Sequence, residues 1–276
     1  MRATQSLPFK SFWNRSLDEL SRLTNIVVKS ENIKGASGPR EIHNFQTPES
    51  VVDCKLLSDA DVGGASTAHL DWVPPANYIP TPGGDESRKP YTPIPGSYAR
   101  FHGTISLELP TDRREISRTG YAGFRTLDRP PTIFGRGVWD IDPYAYLAMR
   151  VKTDARSYFV NVRTESVVPL DLHQHRLFVK KPGQWQTVLI KWNDFVRTNH
   201  GKVIEPQTGM LRQKVLSIGF STTDRKPGPY ELCVERLWAT NDFEEAGVVE
   251  ADVEETQLKN KHGEKVKVTW GPLEQE

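Results

Sequence analysis

The strongest constraint in this chain is a two-residue apolar period that returns in segment after segment. In Phe101-His102-Gly103-Thr104-Ile105-Ser106-Leu107-Glu108-Leu109, odd positions from Ile105 onward are apolar and even positions polar. Successive side chains on an extended strand point to opposite faces, so this spelling specifies a strand with one buried face. The same period runs through 147–152, 158–163, 186–190, 216–220 and 230–234. Turn clusters such as Asp154-Ala155-Arg156, Lys181-Pro182-Gly183 and Lys226-Pro227-Gly228-Pro229 separate the segments. Many short strands with almost no helical interludes predict an all-β fold, an antiparallel β-sandwich or jelly roll.

The first 24 residues follow a different rule. Phe9, Phe12, Trp13, Leu17, Leu20 and Leu23 recur at helical spacing and share one face. Pro8 suits a first helical turn, and Ser16 with Glu19 spells a second capping box inside the same stretch. Arg2, Lys10, Arg15 and Arg22 place basic charge on the other faces. Residues 1–40 therefore read as an amphipathic helix and a linker. Such a helix lies in a membrane interface, docks on a partner or belongs to a mitochondrial targeting region. Asp18 and Glu19 count against targeting, since those peptides are poor in acids. The plain alternative is a helix that covers the open end of its own domain.

Two stretches break the strand pattern. Residues 71–100 are dense in proline, which lacks the backbone donor a ladder needs, and read as a long, partly extended loop. Residues 197–214 read as a second connection. From 243 to 276 the chain is acidic and then mixed in charge, with few large apolar residues before Val266–Trp270, and reads as a mostly disordered tail.

Composition narrows the function classes. The formal net charge is +1 with both signs interleaved, whereas nucleic-acid binders show a basic excess or stripe, so no nucleic-acid partner is expected. Two cysteines, Cys54 and Cys233, fit free thiols in a reducing compartment better than a disulfide framework. No apolar run approaches the length of a transmembrane helix.

Catalytic spellings are absent: there is no GxGxxG, GxxxxGK[ST], HExxH or GxSxG. No cofactor, metal or catalytic residue is assigned, and the chain reads as a binding protein rather than an enzyme. His173 and His175 share a strand face as metal ligands do, but no third ligand is apparent, and surface polar residues on a strand are preferred. Asp59 and Asp61 before Gly63-Gly64 suit a calcium loop or, more simply, a carboxylate-capped turn. A polar patch of Arg125, Arg150, Asn161 and Arg163 on strand positions is able to grip a carboxylate, a sugar or an acidic peptide from a concave face. A solvated face paired with Asp128 and Glu165 is the simpler reading of the same residues.

The order of the unusual turns carries further information. Asp59-Ala60-Asp61-Val62-Gly63-Gly64-Ala65-Ser66 precedes Phe101–Leu107, then Thr119-Gly120-Tyr121-Ala122-Gly123-Phe124-Arg125, then Thr153–Tyr158. Gly183-Gln184-Trp185, Asp194-Phe195, Ile218-Gly219-Phe220 and Gly228-Pro229-Tyr230-Glu231-Leu232 follow. This succession resembles the complex I intermediate-associated protein 30 family, assembly factors of mitochondrial NADH:ubiquinone oxidoreductase, over residues 41–242. Thr119 departs from it, standing where the family often has a glycine. The resemblance implies a galactose-binding-like jelly roll on the matrix side of the mitochondrial inner membrane. It implies partners among complex I membrane-arm subunits and other assembly factors, with peripheral contact to the inner membrane as a further expectation.

The contact residues expected on this reading are Phe9, Phe12, Trp13, Leu17 and Leu20 of the helix, with Tyr78 and Tyr91 of the proline-rich loop. The rival is a carbohydrate-binding module of jelly-roll type, with Trp72, Tyr78, Tyr91 and Trp185 as sugar-stacking rings.

Overall fold

The computed structural model describes residues 12–29, 38–76, 78, 93–111, 113, 116, 118–166, 168 and 170–244. The strands, numbered in chain order, form two large antiparallel sheets packed face to face. The first follows the path β11 (Gln186–Lys191), β8 (Tyr146–Thr153), β15 (Gly228–Thr240), β4 (Tyr98–Ile105) and β3 (Thr67–Val73), and β1 (Arg40–Asn44) also pairs with β15. The second follows β13 (Lys202–Val203), β12 (Val196–Asn199), β10 (Asp171–Leu177), β9 (Tyr158–Thr164), β14 (Val215–Thr222), β5 (Ala122–Thr126) and β2 (Cys54–Ser58). A separate hairpin pairs β6 (Arg129–Thr132) with β7 (Gly135–Gly137). This is the antiparallel sandwich that the alternation predicts.

The period explains which faces meet. Leu147, Met149 and Val151 of β8 and Leu232 and Val234 of β15 turn inward from one sheet, and Val160 and Val162 of β9 turn inward from the other. Aromatic rings fill the space between the layers: Phe101 of β4 lies 5.0 Å from Phe124 of β5 in the opposite sheet, and Phe124 lies 5.4 Å from Phe220 of the neighbouring β14. Each such buried ring stabilises the fold by about 2 kcal/mol relative to leaving it in water.

Turns that are far apart in sequence are tied together by charge. The Arg156 guanidinium, in the turn after β8, donates to both Asp224 oxygens at 2.8 and 3.0 Å and to the Gly228 and Pro229 carbonyls at 2.8 Å. Asp59 is fully buried and accepts from Ser66 N (3.0 Å), Ser66 Oγ (2.8 Å) and Gly120 N (2.6 Å). Its carboxylate thus holds a turn, as the simpler reading of that segment expects. Among the described residues no group of three or more His, Cys, Asp or Glu is placed to hold a metal ion.

Several expectations need correction. The 71–100 segment is not all loop: 71–73 complete β3 and 98–100 open β4, where Asp71 pairs with Arg100 and Trp72 with Ala99 in register. The prolines crowd between those strands, where no ladder is required; residues 77 and 79–92 lie outside the described ones. The 197–214 connection contains most of β12 and all of β13, strands too short to spell a period. His173 is not a surface residue, and His175 is half-buried. They share the inward face of β10, where His173 is buried and the His175 ring packs 5.6 Å from Phe195. Burial, and after it the neighbouring Arg197, holds the His173 imidazole below its usual range.

Both cysteines are free thiols, Cys54 on β2 of one sheet and Cys233 on β15 of the other. Burial pushes each up to about 12. The helix, α1, runs Phe12–Lys29 without interruption. Ser16 is therefore not a cap, and its hydroxyl donates to the Phe12 carbonyl at 2.9 Å. Pro8, Phe9 and the tail beyond 244 lie outside the described residues.

Candidate functional site

Two surfaces stand out, and both arise from residues that local spelling places only in part. The first is α1. Its polar side, not its apolar side, meets the sandwich. Ser16 is buried, and its hydroxyl accepts from the Ile133 amide at 3.1 Å. Arg15 donates to the Pro131 carbonyl at 3.5 Å, and Glu19 forms a 2.6 Å ion pair with Arg22. That bond, outweighing burial, holds the Glu19 carboxyl below its usual range. Between helix and sandwich lies a cavity of about 800 Å³ in which Trp139 is flanked by the Arg40 and Arg129 guanidiniums, 5.4 and 4.4 Å from its ring. Burial and neighbouring arginines pull Arg40 downward in pKa.

The apolar stripe faces outward. Trp13 is 68% exposed, Leu17 62% and Leu20 49%, and Phe12, Leu23, Val27 and Val28 are exposed beside them. A helix that covered its own domain would bury these residues, so the covering alternative does not describe α1. Phe12, Trp13, Leu17 and Leu20 lie on one exposed surface as the spacing predicts. Tyr78 is exposed elsewhere, its ring 5.8 Å from Trp72, and Phe9 and Tyr91 lie outside the described residues.

The second surface is a groove of about 640 Å³ on the outer face of the seven-stranded sheet. Register explains its composition. Arg125 on β5, Gly219 on β14, Asn161 on β9 and Gln174 on β10 are cross-strand partners in one row. Gln174 donates to Asn161 Oδ1 at 2.7 Å and Asn161 donates to Ser221 Oγ at 2.8 Å, a polar chain across three strands. Gly219 and Gly123 form part of the floor: a Cβ on either would collide with the neighbouring strand's backbone, so the sheet surface is bare there.

Three guanidiniums, those of Arg125, Arg136 and Arg163, share the single Asp128 carboxylate. Burial, then the nearby Arg125 charge, holds Arg163 below the usual arginine range. Arg118 and Arg225 add exposed positive charge from the flanking loops, and no carboxylate lines the groove among the described residues.

The polar patch expected from the sequence is thus reached in three of its four members. Arg125, Asn161 and Arg163 meet in this groove. Arg150 does not, because it lies on β8 of the other sheet, 3.9 Å from Glu235 and 3.5 Å from Thr187. Gln174, Ser221, Arg118 and Arg225 escaped the sequence reading. Two of them stand on loops and two on strands whose partners depend on register, so only the pairing brings them together.

Comparison with known proteins adds four observations. The family model described as Complex I intermediate-associated protein 30 matches residues 43–234. Over its whole length the chain is 92% identical to the Neurospora crassa protein named "Complex I intermediate-associated protein 30, mitochondrial", across the whole of that protein. A Drosophila melanogaster protein of the same name is 27% identical over 70% of this chain and 60% of its own length. Among solved structures, a family 11 carbohydrate-binding module of a Clostridium thermocellum cellulosomal cellulase superposes with a TM-score of 0.48 at 15% identity, covering 75% of this chain and 96% of that one.

Proposed function

The chain belongs to the Complex I intermediate-associated protein 30 family, and from that premise we propose that it is a mitochondrial assembly factor that holds incomplete complex I by binding alone. It engages membrane-arm intermediates together with other assembly factors on the matrix side of the inner membrane, and it carries out no reaction of its own. A holder of partly built membrane subunits needs an apolar surface that remains available when its own domain is folded. The observation that carries the reading is the outward stripe of α1, with Trp13 and Leu17 more than 60% exposed while the polar side is docked. Exposed apolar surface of this kind marks a contact site, because leaving it in water is unfavourable. The 71–100 segment, through Tyr78 and Tyr91, supplies a second contact in the same proposal.

The triple substitution Trp13→Ser, Leu17→Ser, Leu20→Ser tests it. The variant should stay folded but lose most of its co-migration with complex I intermediates on native gels of mitochondria. Co-migration equal to that of the unsubstituted protein would remove the helix from the mechanism.

A further inference from the structure

The outward face of the seven-stranded sheet carries the makings of a ligand site of its own. We infer that the groove built on Arg125, Asn161, Arg163 and Gln174 binds an extended acidic peptide segment, its carboxylates held by the arginines and its backbone by the amide row. This rests on reading the chain as a binder of assembly intermediates, and it names the chemistry that one of its faces selects.

Four observations converge on it. Cations line the groove from both the floor (Arg125, Arg163) and the loops (Arg118, Arg225), without a lining carboxylate among the described residues. Asp128 is shared by three guanidiniums, so most of their charge is not neutralised within the protein. Arg163 Nε and Thr119 Oγ1, both at the groove, are buried without a hydrogen-bond partner in the protein. A buried donor left unpaired is unfavourable, so these two atoms mark hydrogen-bonding capacity that the protein itself leaves unused beside the groove. The Gln174–Asn161–Ser221 chain offers neutral donors and acceptors in a line across the strands, matched to an extended backbone.

Rival ligands fit less well. A neutral sugar is gripped by stacking on exposed aromatic faces. Trp72, Tyr78 and Trp185 do not line this groove, Phe124 and Phe220 turn into the core behind it, and half-buried Tyr121 is a single ring where a sugar chain calls for several. A nucleotide calls for a glycine-rich phosphate loop or a helix N-terminus, and neither borders the groove among the described residues. Arginine pairs with carboxylate in planar, bidentate fashion, and a groove of this volume falls within the range of well-formed ligand sites.

Titration calorimetry on the intact protein with acetylated, amidated hexaglutamate decides the matter, with hexaglutamine and a mixed-linkage glucan tetrasaccharide as comparison probes. Hexaglutamate should bind saturably at one site, and hexaglutamine at least tenfold more weakly. The double variant Arg118→Glu, Arg225→Asn changes only exposed loop positions, and Asn tolerates the positive φ of 53° at position 225. It should weaken hexaglutamate at least tenfold with an unchanged melting temperature. Lys191→Glu, an exposed change on the other sheet, should leave binding as it was. No hexaglutamate binding, equal binding of hexaglutamine, equal loss in Lys191→Glu, or saturable binding of the glucan in its place would each overturn the assignment. Because the assay uses the isolated protein, failure here leaves the native-gel result for α1 standing, and the reverse also holds.

Discussion

The sandwich and α1 are both written with a regular apolar period, yet they dispose of their apolar residues in opposite ways. In the sandwich Phe101, Phe124 and Phe220 vanish between the sheets. In α1 the serine and charged side chains turn in while Trp13, Leu17 and Val27 turn out. Periodicity states that an element has an apolar face. It does not state whether the same chain covers that face. Where the protein leaves it bare, the stability ledger and the contact surface have been separated.

That separation predicts a graded set of outcomes. The largest concerns the core: Phe124→Ala should lower the unfolding free energy by about 3–5 kcal/mol, read from urea denaturation, because it removes a ring at the meeting point of both sheets and leaves a cavity. A loss below 1 kcal/mol would mean the layers do not depend on that ring.

The middle effect is carried by charge. Burial pushes the Asp224 carboxyl up, but the paired Arg156 guanidinium and the Lys226 amide outweigh it, and the net position is below the usual carboxylate range. A carboxylate with a depressed folded pKa contributes stability in full above its unfolded value near 3.9 and loses it as pH falls through the lower folded value. Asp224→Asn should therefore cost about 2 kcal/mol at pH 7 and flatten the loss of stability seen below about pH 4. An acid limb identical to that of the unsubstituted protein would contradict this.

The smallest effect tests the helix. Leu17→Ser should change stability by less than about 0.5 kcal/mol, since its side chain already lies in water. A cost comparable to that of Phe124→Ala would mean that α1 buries its stripe in solution, and the contrast between the two regions would collapse.

Much of the architecture was legible in the residues. Segments 147–152 and 158–163 alternate cleanly because each has one face in the core and one outside, and β8 and β9 form there. The short β12 and β13 were not legible, since two to four residues cannot establish a period. The residue types of His173 and His175 suggest surface because polar residues are usually solvated, whereas His173 is buried and the His175 ring packs against Phe195. Of the groove, Arg125, Asn161 and Arg163 could be named because each sits at an outward strand position. Arg150 has the same local spelling, and only sheet order separates it from them. Gln174 became their neighbour through a pairing between β9 and β10 that no local pattern encodes.

The order of strands within the six-stranded sheet has a consequence for how the protein comes into being. β15, the last strand in the sequence, pairs with β1, β4 and β8 and so occupies the middle of its sheet. Neither β4 nor β8 has its central neighbour until residues near Thr240 have been synthesised. Such distant pairings fold slowly, because long loops must close before any contact compensates them. The nascent chain therefore passes most of its synthesis without a finished sheet, and a truncation that removes β15 abolishes the sandwich instead of trimming its edge.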